Sequence, residues 1–247
     1  GTPDVDPKDS LGQDWMRTFL EINGDAVDIV SFHRYPFPAN AARERATVDE
    51  LRANGPQWDQ IIRNLRDTIR AETGRDVPVA VTEFNSHWTR SITGETSPGS
   101  LFSALWLGDV LGRLMQQRVD LAAHFLLVTG SDHSDFGLLD RYEARPPYYV
   151  YQLYQQFGTE LLFASSGIEH VTIYAAQRAD GALTLMVINL ADEPVNAPLA
   201  LNGFTPAGEA AAWRLDAEHK AAPVENAALA GGTLTLPPRS MTLYVVK

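Results

Sequence analysis

Glu83 stands where an apolar, β-branched run, VPVAVT (residues 77–82), gives way to a polar and aromatic stretch, EFNSHW (83–88). A carboxylate at the C-terminal end of a strand can attack an electrophilic carbon or move a proton, because in α/β barrels the βα loops gather reactive groups at that end. A helix cap or a surface ion pair is the plainer use of a single strand-end Glu. If Glu83 faces the barrel axis, a period of two places Val79 and Val81 on the same side. A second run, VDIVSFHRYP (27–36), ends with His33 and Tyr35, two residues apart and hence on one face of a strand. A phenol or imidazole that hydrogen-bonds a neighbouring carboxylate favours its ionised form. An aromatic plug at the barrel rim, with Pro36 ending the strand, accounts for the same residues.

The elements that would position these groups read as βα units. Residues 27–32, 77–82 and 121–128 are three short apolar runs without clean alternation, as expected of strands buried on both faces of a parallel sheet. Thr47 and Glu50 have capping-box spacing, Trp58, Ile61, Ile62, Leu65 and Ile69 repeat at helical intervals, and Gly74 supplies a stop. Further helices are expected over 11–22, over 101–115 after Ser97 and Pro98, and over 148–157. Trp15, Trp58 and Trp106 fall at helical spacings and are assigned to packing. From about residue 160 the pattern changes to short strands between turn residues, with a hairpin at Asp180 and Gly181, and then APLAL, AAAWRL, TLTL and MTLYVV. The fold class is therefore α/β over 1–160, followed by an antiparallel β-sandwich over 161–247, with the boundary near 158–168. The Ala/Gly-rich stretch 226–232 reads as a loop.

Composition narrows the functions. With 20 Lys and Arg against 31 Asp and Glu, the net charge of -11 disfavours a polyphosphate partner, so nucleic acid is not expected. Zero cysteines remove thiol nucleophiles, thiolate metal sites and disulfides. No apolar run is long enough for a membrane span, and residues 1–10 lack the basic-then-apolar pattern of a secretion signal.

VDIVSFHRYP, VAVTEFNSHW, HSDFGLLDRYEARPPYYVYQLYQQFG (133–158) and the closing sandwich together resemble the C-terminal half of a clan A retaining glycoside hydrolase, nearest to families 39 and 51, the xylosidase and arabinofuranosidase types. The resemblance covers essentially the whole chain. It implies that 27–32, 77–82 and 121–128 are the last three strands of a (β/α)8 barrel, that 11–22 is its fifth helix, and that Glu83 is the catalytic nucleophile. It places His33 and Tyr35 beside that nucleophile, and Asn85, His87, Trp88 and His124 are further candidates to contact a sugar, whose flat C–H faces pack on rings while its hydroxyls bond polar edges, packing of the loop being the plainer use of Trp88. The eighth strand has no Trp at the position usual in the clan, so His124 or Phe125 stands there instead. No cofactor and no metal are expected.

Retention needs a second carboxyl roughly 5 to 5.5 Å from the first. In these families it follows an Asn, and this sequence has no Asn-Glu pair. Glu95, Asp135, Asp140 and Glu143 occupy later loops but read as solvated charges. Asp132, His133 and Asp135 read as chance spacing more than as a metal cluster. An eight-stranded barrel takes about 200 to 250 residues, whereas only three strands precede residue 157. The expectation is a fragment whose general acid lies in a missing N-terminal barrel half, with little hydrolytic activity of its own. The alternative is a non-catalytic carbohydrate-binding or interaction module, for which Tyr174, Trp213 and Tyr244 are the sandwich rings available. A supporting role for the sandwich is favoured.

Overall fold

The structure, a computed structural model, describes residues 11–37, 45–89, 94–130, 135–206, 210–227 and 232–247. The chain opens with helix α1 (Trp15–Asn23), whose first turn is capped by Asp14 accepting from the Arg17 N–H at 2.9 Å. Strand β1 (Val30–Arg34) follows, and then the long helix α2 (Val48–Thr73). Both ends of α2 are set locally. The Thr47 hydroxyl accepts from the Glu50 N–H while the Glu50 carboxylate accepts from the Thr47 N–H, and Gly74 ends the helix at φ +64°. Strand β2 (Val79–Phe84), helix α3 (Leu101–Gln116) and strand β3 (Leu121–His124) complete the βα pattern. The three strands form a parallel sheet in the order β1-β2-β3.

Each expected strand exists, but its limits differ from the apolar run. The first two extend to Arg34 and Phe84, so the chemically interesting residues lie within or beside the sheet. The third stops at His124 because Leu126–Val128 leave the sheet: the Leu138 and Leu139 N–H groups donate to the Leu126 and Leu127 carbonyls at 2.9 Å. Val128 then opens a small ladder of β4 (Val128–Thr129), β5 (Leu139–Asp140) and β6 (Glu143–Ala144). Close approach requires Gly137 there, since a Cβ would fall 2.2 Å from the Thr129 hydroxyl. Helix α4 (Pro146–Tyr154) starts on its proline pair.

The antiparallel part contains β7 (Glu160–Leu162), β8 (Val171–Gln177), β9 (Leu183–Asn189), β10 (Val195–Pro198), β11 (Ala210–Leu215), β12 (Lys220–Ala227), β13 (Thr233–Leu236) and β14 (Ser240–Val246). The expected hairpin joins β8 to β9 through Gly181 at φ +84°. A strand, β12, occupies the start of the stretch expected as a loop, because it pairs with β11. Six strands form one sheet, ordered β12-β11-β14-β9-β8-β7, and β10 with β13 forms a second of two.

One core crosses from the helices to the large sheet. Leu105, Trp106 and Val110 of α3 and Val150 and Leu153 of α4 are buried together with Met186, Ile188, Met241 and Leu243. A buried polar group also joins them. Asp109 of α3 accepts from the Tyr174 hydroxyl and from Arg113 at 2.9 Å, while Arg113 also reaches Asp59 of α2 at 2.6 Å. Burial raises the Tyr174 phenol well above its ordinary range, and the Asp109 charge adds to the effect, so it remains a donor. Trp58 and Trp106 are packing residues, both N–H groups donating to the Asn54 side-chain oxygen, at 3.0 and 2.9 Å. Trp15 instead keeps an exposed ring.

Candidate active site

The site is built by one irregularity in β2. Val79 and Val81 pair with Val30 and Phe32, but the next rung joins His33 to Glu83, so β2 has one residue more than β1 over this step. The same extra residue recurs against β3, where Val81 pairs with Ala122 and Phe84 with His124. This β-bulge at exposed Thr82 reverses the facing of the residues after it. Val79 and Val81 therefore lie with the buried helix-side residues, opposite Glu83, and the expectation that they share its face fails. Strict alternation does not survive an inserted residue.

On the open face, the Tyr35 hydroxyl donates to Glu83 Oε2 at 2.8 Å. His33 Nδ1 lies 3.6 Å from the same oxygen, outside hydrogen-bond range but within ion-pair range when the imidazole is protonated. The Glu83 side chain is 37% exposed. Both neighbours thus lie on the Oε2 side, only Tyr35 hydrogen-bonding it, and Oε1 takes no hydrogen bond among the described residues. Burial pushes the Tyr35 phenol well above its usual range, reinforced by its bond to Glu83 and by that carboxylate's charge. Tyr35 is consequently a fixed donor.

Parallel pairing continues beyond both strands. The Asn85 N–H donates to the Arg34 carbonyl, the Phe37 N–H to Ser86, and the Trp88 N–H back to Phe37. This keeps the loop after Glu83 beside the Tyr35 segment, and Trp88 in that loop is 48% exposed. Asn85 and His87 have a different placement from a surface subsite. Asn85 is buried, and its amide donates to the carbonyls of Phe125 at 2.7 Å and Phe136 at 3.3 Å. His87 is buried with Nε2 accepting from the Ala46 N–H at 3.0 Å and Nδ1 2.9 Å from the Ser86 hydroxyl. Burial lowers its pKa to about 4 against the opposing influence of Glu50, so the ring is neutral and fastens the start of α2 to the loop carrying Trp88.

Of the two residues considered on the third strand, the bulge decides which reaches the site. His124 pairs with Phe84 and turns to the helix side, its ring 6.3 Å from that of Tyr151, and burial lowers its pKa to about 4. Phe125 is the one beside the carboxylate's partners: its half-exposed ring stands edge-on to Tyr35 with centroids 6.3 Å apart. Phe136, which packs edge-on against Phe125, had no sequence signal beyond its place in a loop.

The other acidic candidates are engaged elsewhere or exposed. Glu95 pairs with Arg239 at 2.8 Å, while Asp135 and Asp140 lie 3.6 and 3.3 Å from Arg145. Glu143 is exposed on β6. Asp132 and His133 lie outside the described residues, and among the described residues no cluster of three His, Cys, Asp or Glu side chains could hold a metal ion. No helix among them is long and apolar enough to cross a membrane.

Comparison with solved structures fixes the architecture. A bifunctional glucanase-xylanase from a metagenome library superposes with a TM-score of 0.72 at 24% identity, over 95% of this chain and 48% of that one. A family 44 xyloglucanase from Paenibacillus polymyxa gives 0.69 at 20% identity, over 94% and 49%. The family 51 arabinofuranosidase of Xanthomonas axonopodis pv. citri gives 0.64 at 18% identity, over 94% and 55%. The chain has the fold of the C-terminal half of a clan A glycoside hydrolase. It spans about half the length of the solved structures it matches. Residues 169–238 match the family described as D-apionate lactonase, C-terminal immunoglobulin-like domain. No curated protein matches the sequence.

Proposed function

We propose that this chain carries the nucleophile of a retaining O-glycoside hydrolase, and that Glu83 is that nucleophile. The observation that carries the reading is the carboxylate on the open face of a barrel-type sheet, with Oε2 held by Tyr35 and Oε1 without a protein partner among the described residues. Oε1 attacks the anomeric carbon, the bond from that carbon to the leaving oxygen breaks, and a general acid protonates that oxygen. Water, deprotonated by the same acid/base group, then displaces Glu83 from the glycosyl ester and regenerates the carboxylate.

Trp88 and Phe125 supply the half-exposed rings for the sugar's apolar face. The substrate class is a xyloside or arabinofuranoside, and the acid/base carboxyl comes from barrel strands outside these 247 residues. A carbohydrate-binding role for the sandwich has less support, since Tyr174 and Tyr244 are buried and Trp213 packs against the core.

The test is hydrolysis of nitrophenyl xylosides, arabinofuranosides and glucosides by the complete gene product. Glu83→Gln should abolish turnover. Glu83→Ala should recover leaving-group release with azide, yielding a glycosyl azide of the anomeric configuration opposite to the substrate's. Undiminished hydrolysis by Glu83→Gln would overturn the assignment.

A further inference from the structure

Three Asn-Gly pairs occur in the sequence, at 23–24, 54–55 and 202–203. All three carry the same latent chemistry, because a glycine has no side chain to hinder its amide nitrogen from turning onto the side-chain carbonyl of the preceding asparagine. The attack needs a main-chain N–H without a hydrogen bond, a backbone that can pivot and a side-chain amide that can swing. Each restraint that must first be broken slows it by the cost of that local opening. The fold treats the three pairs differently.

Asn54 is fully buried within α2. Its side-chain oxygen accepts from the Trp58 and Trp106 N–H groups at 3.0 and 2.9 Å, and its amide donates to Gln57 at 3.1 Å. The Gly55 N–H belongs to the helical ladder, and Asp109 leaves this glycine no room to move. Asn23 is exposed but held at the end of α1, where its amide donates to the Phe19 carbonyl at 3.1 Å. The buried Gly24 donates its N–H to the Leu20 carbonyl, and a Cβ on it would meet Thr73 at 2.7 Å, so this backbone is pinned against α2. Asn202 and Gly203 are both exposed and lie outside any helix or strand, between β10 and β11. Neither the Asn202 amide nor the Gly203 N–H has a hydrogen-bond partner among the described residues. Gly203 adopts φ +79° with no atom within 4 Å of the place a Cβ would take, so the turn is open on all sides.

We propose that Asn202 is a site of spontaneous covalent modification, deamidating through a cyclic imide in the native protein while Asn23 and Asn54 stay intact. The Gly203 nitrogen bonds to the side-chain carbonyl carbon of Asn202, and the bond from that carbon to the side-chain nitrogen breaks. The side-chain nitrogen leaves as ammonia, taking the proton that the Gly203 amide gives up. Water then opens the imide at one or the other carbonyl, giving aspartate or isoaspartate, so no oxidant or further reactant is consumed. Either product adds one negative charge to the net of -11. Isoaspartate also lengthens the main chain by one carbon between Leu201 and Phe204, which both pack on the sandwich core. The modification therefore acts on the sandwich and stands independently of the chemistry assigned to Glu83.

The test is to age the complete gene product at mildly alkaline pH, in buffer and in denaturing urea, and to follow each Asn-Gly pair by peptide mass spectrometry. A converted site gains one mass unit, and its aspartate and isoaspartate peptides separate by chromatography. In urea the three pairs should convert at similar rates, since the fold no longer distinguishes them. In buffer, Asn202 should keep at least about a third of its urea rate, while Asn23 and Asn54 should be slowed at least about tenfold. Asn202→Gln should remove the conversion seen in buffer. Protection of Asn202 in the native protein as strong as that of Asn54 would overturn the proposal. So would native conversion of Asn23 or Asn54 as fast as that of Asn202, which would mean that the hydrogen bonds and packing around them do not select the site.

Discussion

Replacing His87 by Gln should make the stability of this protein less sensitive to acid. His87 is fully buried, and its imidazole accepts a proton only near pH 4, whereas the same side chain in an unfolded chain titrates near 6.5. Between these values the unfolded state binds the proton and the native state does not, so native stability falls as the pH is lowered through that window. At about 1.4 kcal/mol for each tenfold change in proton affinity, the drop from 6.5 to about 4 corresponds to about 3 kcal/mol. Gln cannot be protonated, and its side-chain oxygen can replace Nε2 as acceptor for the Ala46 N–H. The assay is urea unfolding followed by tryptophan fluorescence, on both proteins, at several values between about pH 7 and about pH 4. His124 contributes an acid sensitivity of the same sign, but it is present in both proteins and cancels in the difference. The advantage of the wild-type protein over His87→Gln should shrink by about 3 kcal/mol across the window. A gap that stays constant with pH would refute the buried, neutral imidazole and its role in tying α2 to the Trp88 loop.

Further outcomes are expected from the packing and the site. Gly55→Ala should destabilise by about 3 kcal/mol or more in urea unfolding, because the added Cβ would fall 2.2 Å from the Asp109 carboxylate and disturb its buried pairing with Arg113. Gly167→Ala, which meets no atom within 4 Å, should change stability by no more than about 0.5 kcal/mol. Thr47→Ala removes the hydroxyl that caps α2 and should cost about 1 kcal/mol, read as a lower urea midpoint with an unchanged slope. The isolated 247-residue chain should show no turnover of a nitrophenyl glycoside that depends on Glu83, and turnover abolished by Glu83→Gln would contradict an acid/base group located elsewhere.

The legible parts of the fold were those written in local chemistry. The Thr47 and Glu50 box, the periodic Ile and Leu positions and Gly74 specify α2 almost residue by residue, and Asp180 with Gly181 marks the β8–β9 turn. The bulge at Thr82 had no such signature: in a run as uniformly apolar as VPVAVT, the side-chain period that would reveal a face is hidden. Glu83, His33 and Tyr35 were nonetheless brought together because the bulge shifts β2 against β1 without changing which strand ends are adjacent. The same shift turned His124 inward and left Phe125 at the site, a one-residue distinction that pattern alone leaves open. Asn85 and His87 look like surface groups after a strand end, and only the long-range carbonyls and the Ala46 N–H that they bond make them internal.

The central claim is that the Glu83 carboxylate captures a sugar covalently. A dinitrophenyl 2-fluoro glycoside tests it most directly, since its leaving group needs no protonation and its fluorine slows release of the ester. Peptide mass spectrometry of the complete gene product after inactivation should find the fluoroglycosyl adduct on Glu83 and none in Glu83→Gln. An adduct on a different carboxylate, or no adduct from an enzyme that still hydrolyses the unfluorinated glycoside, would contradict it.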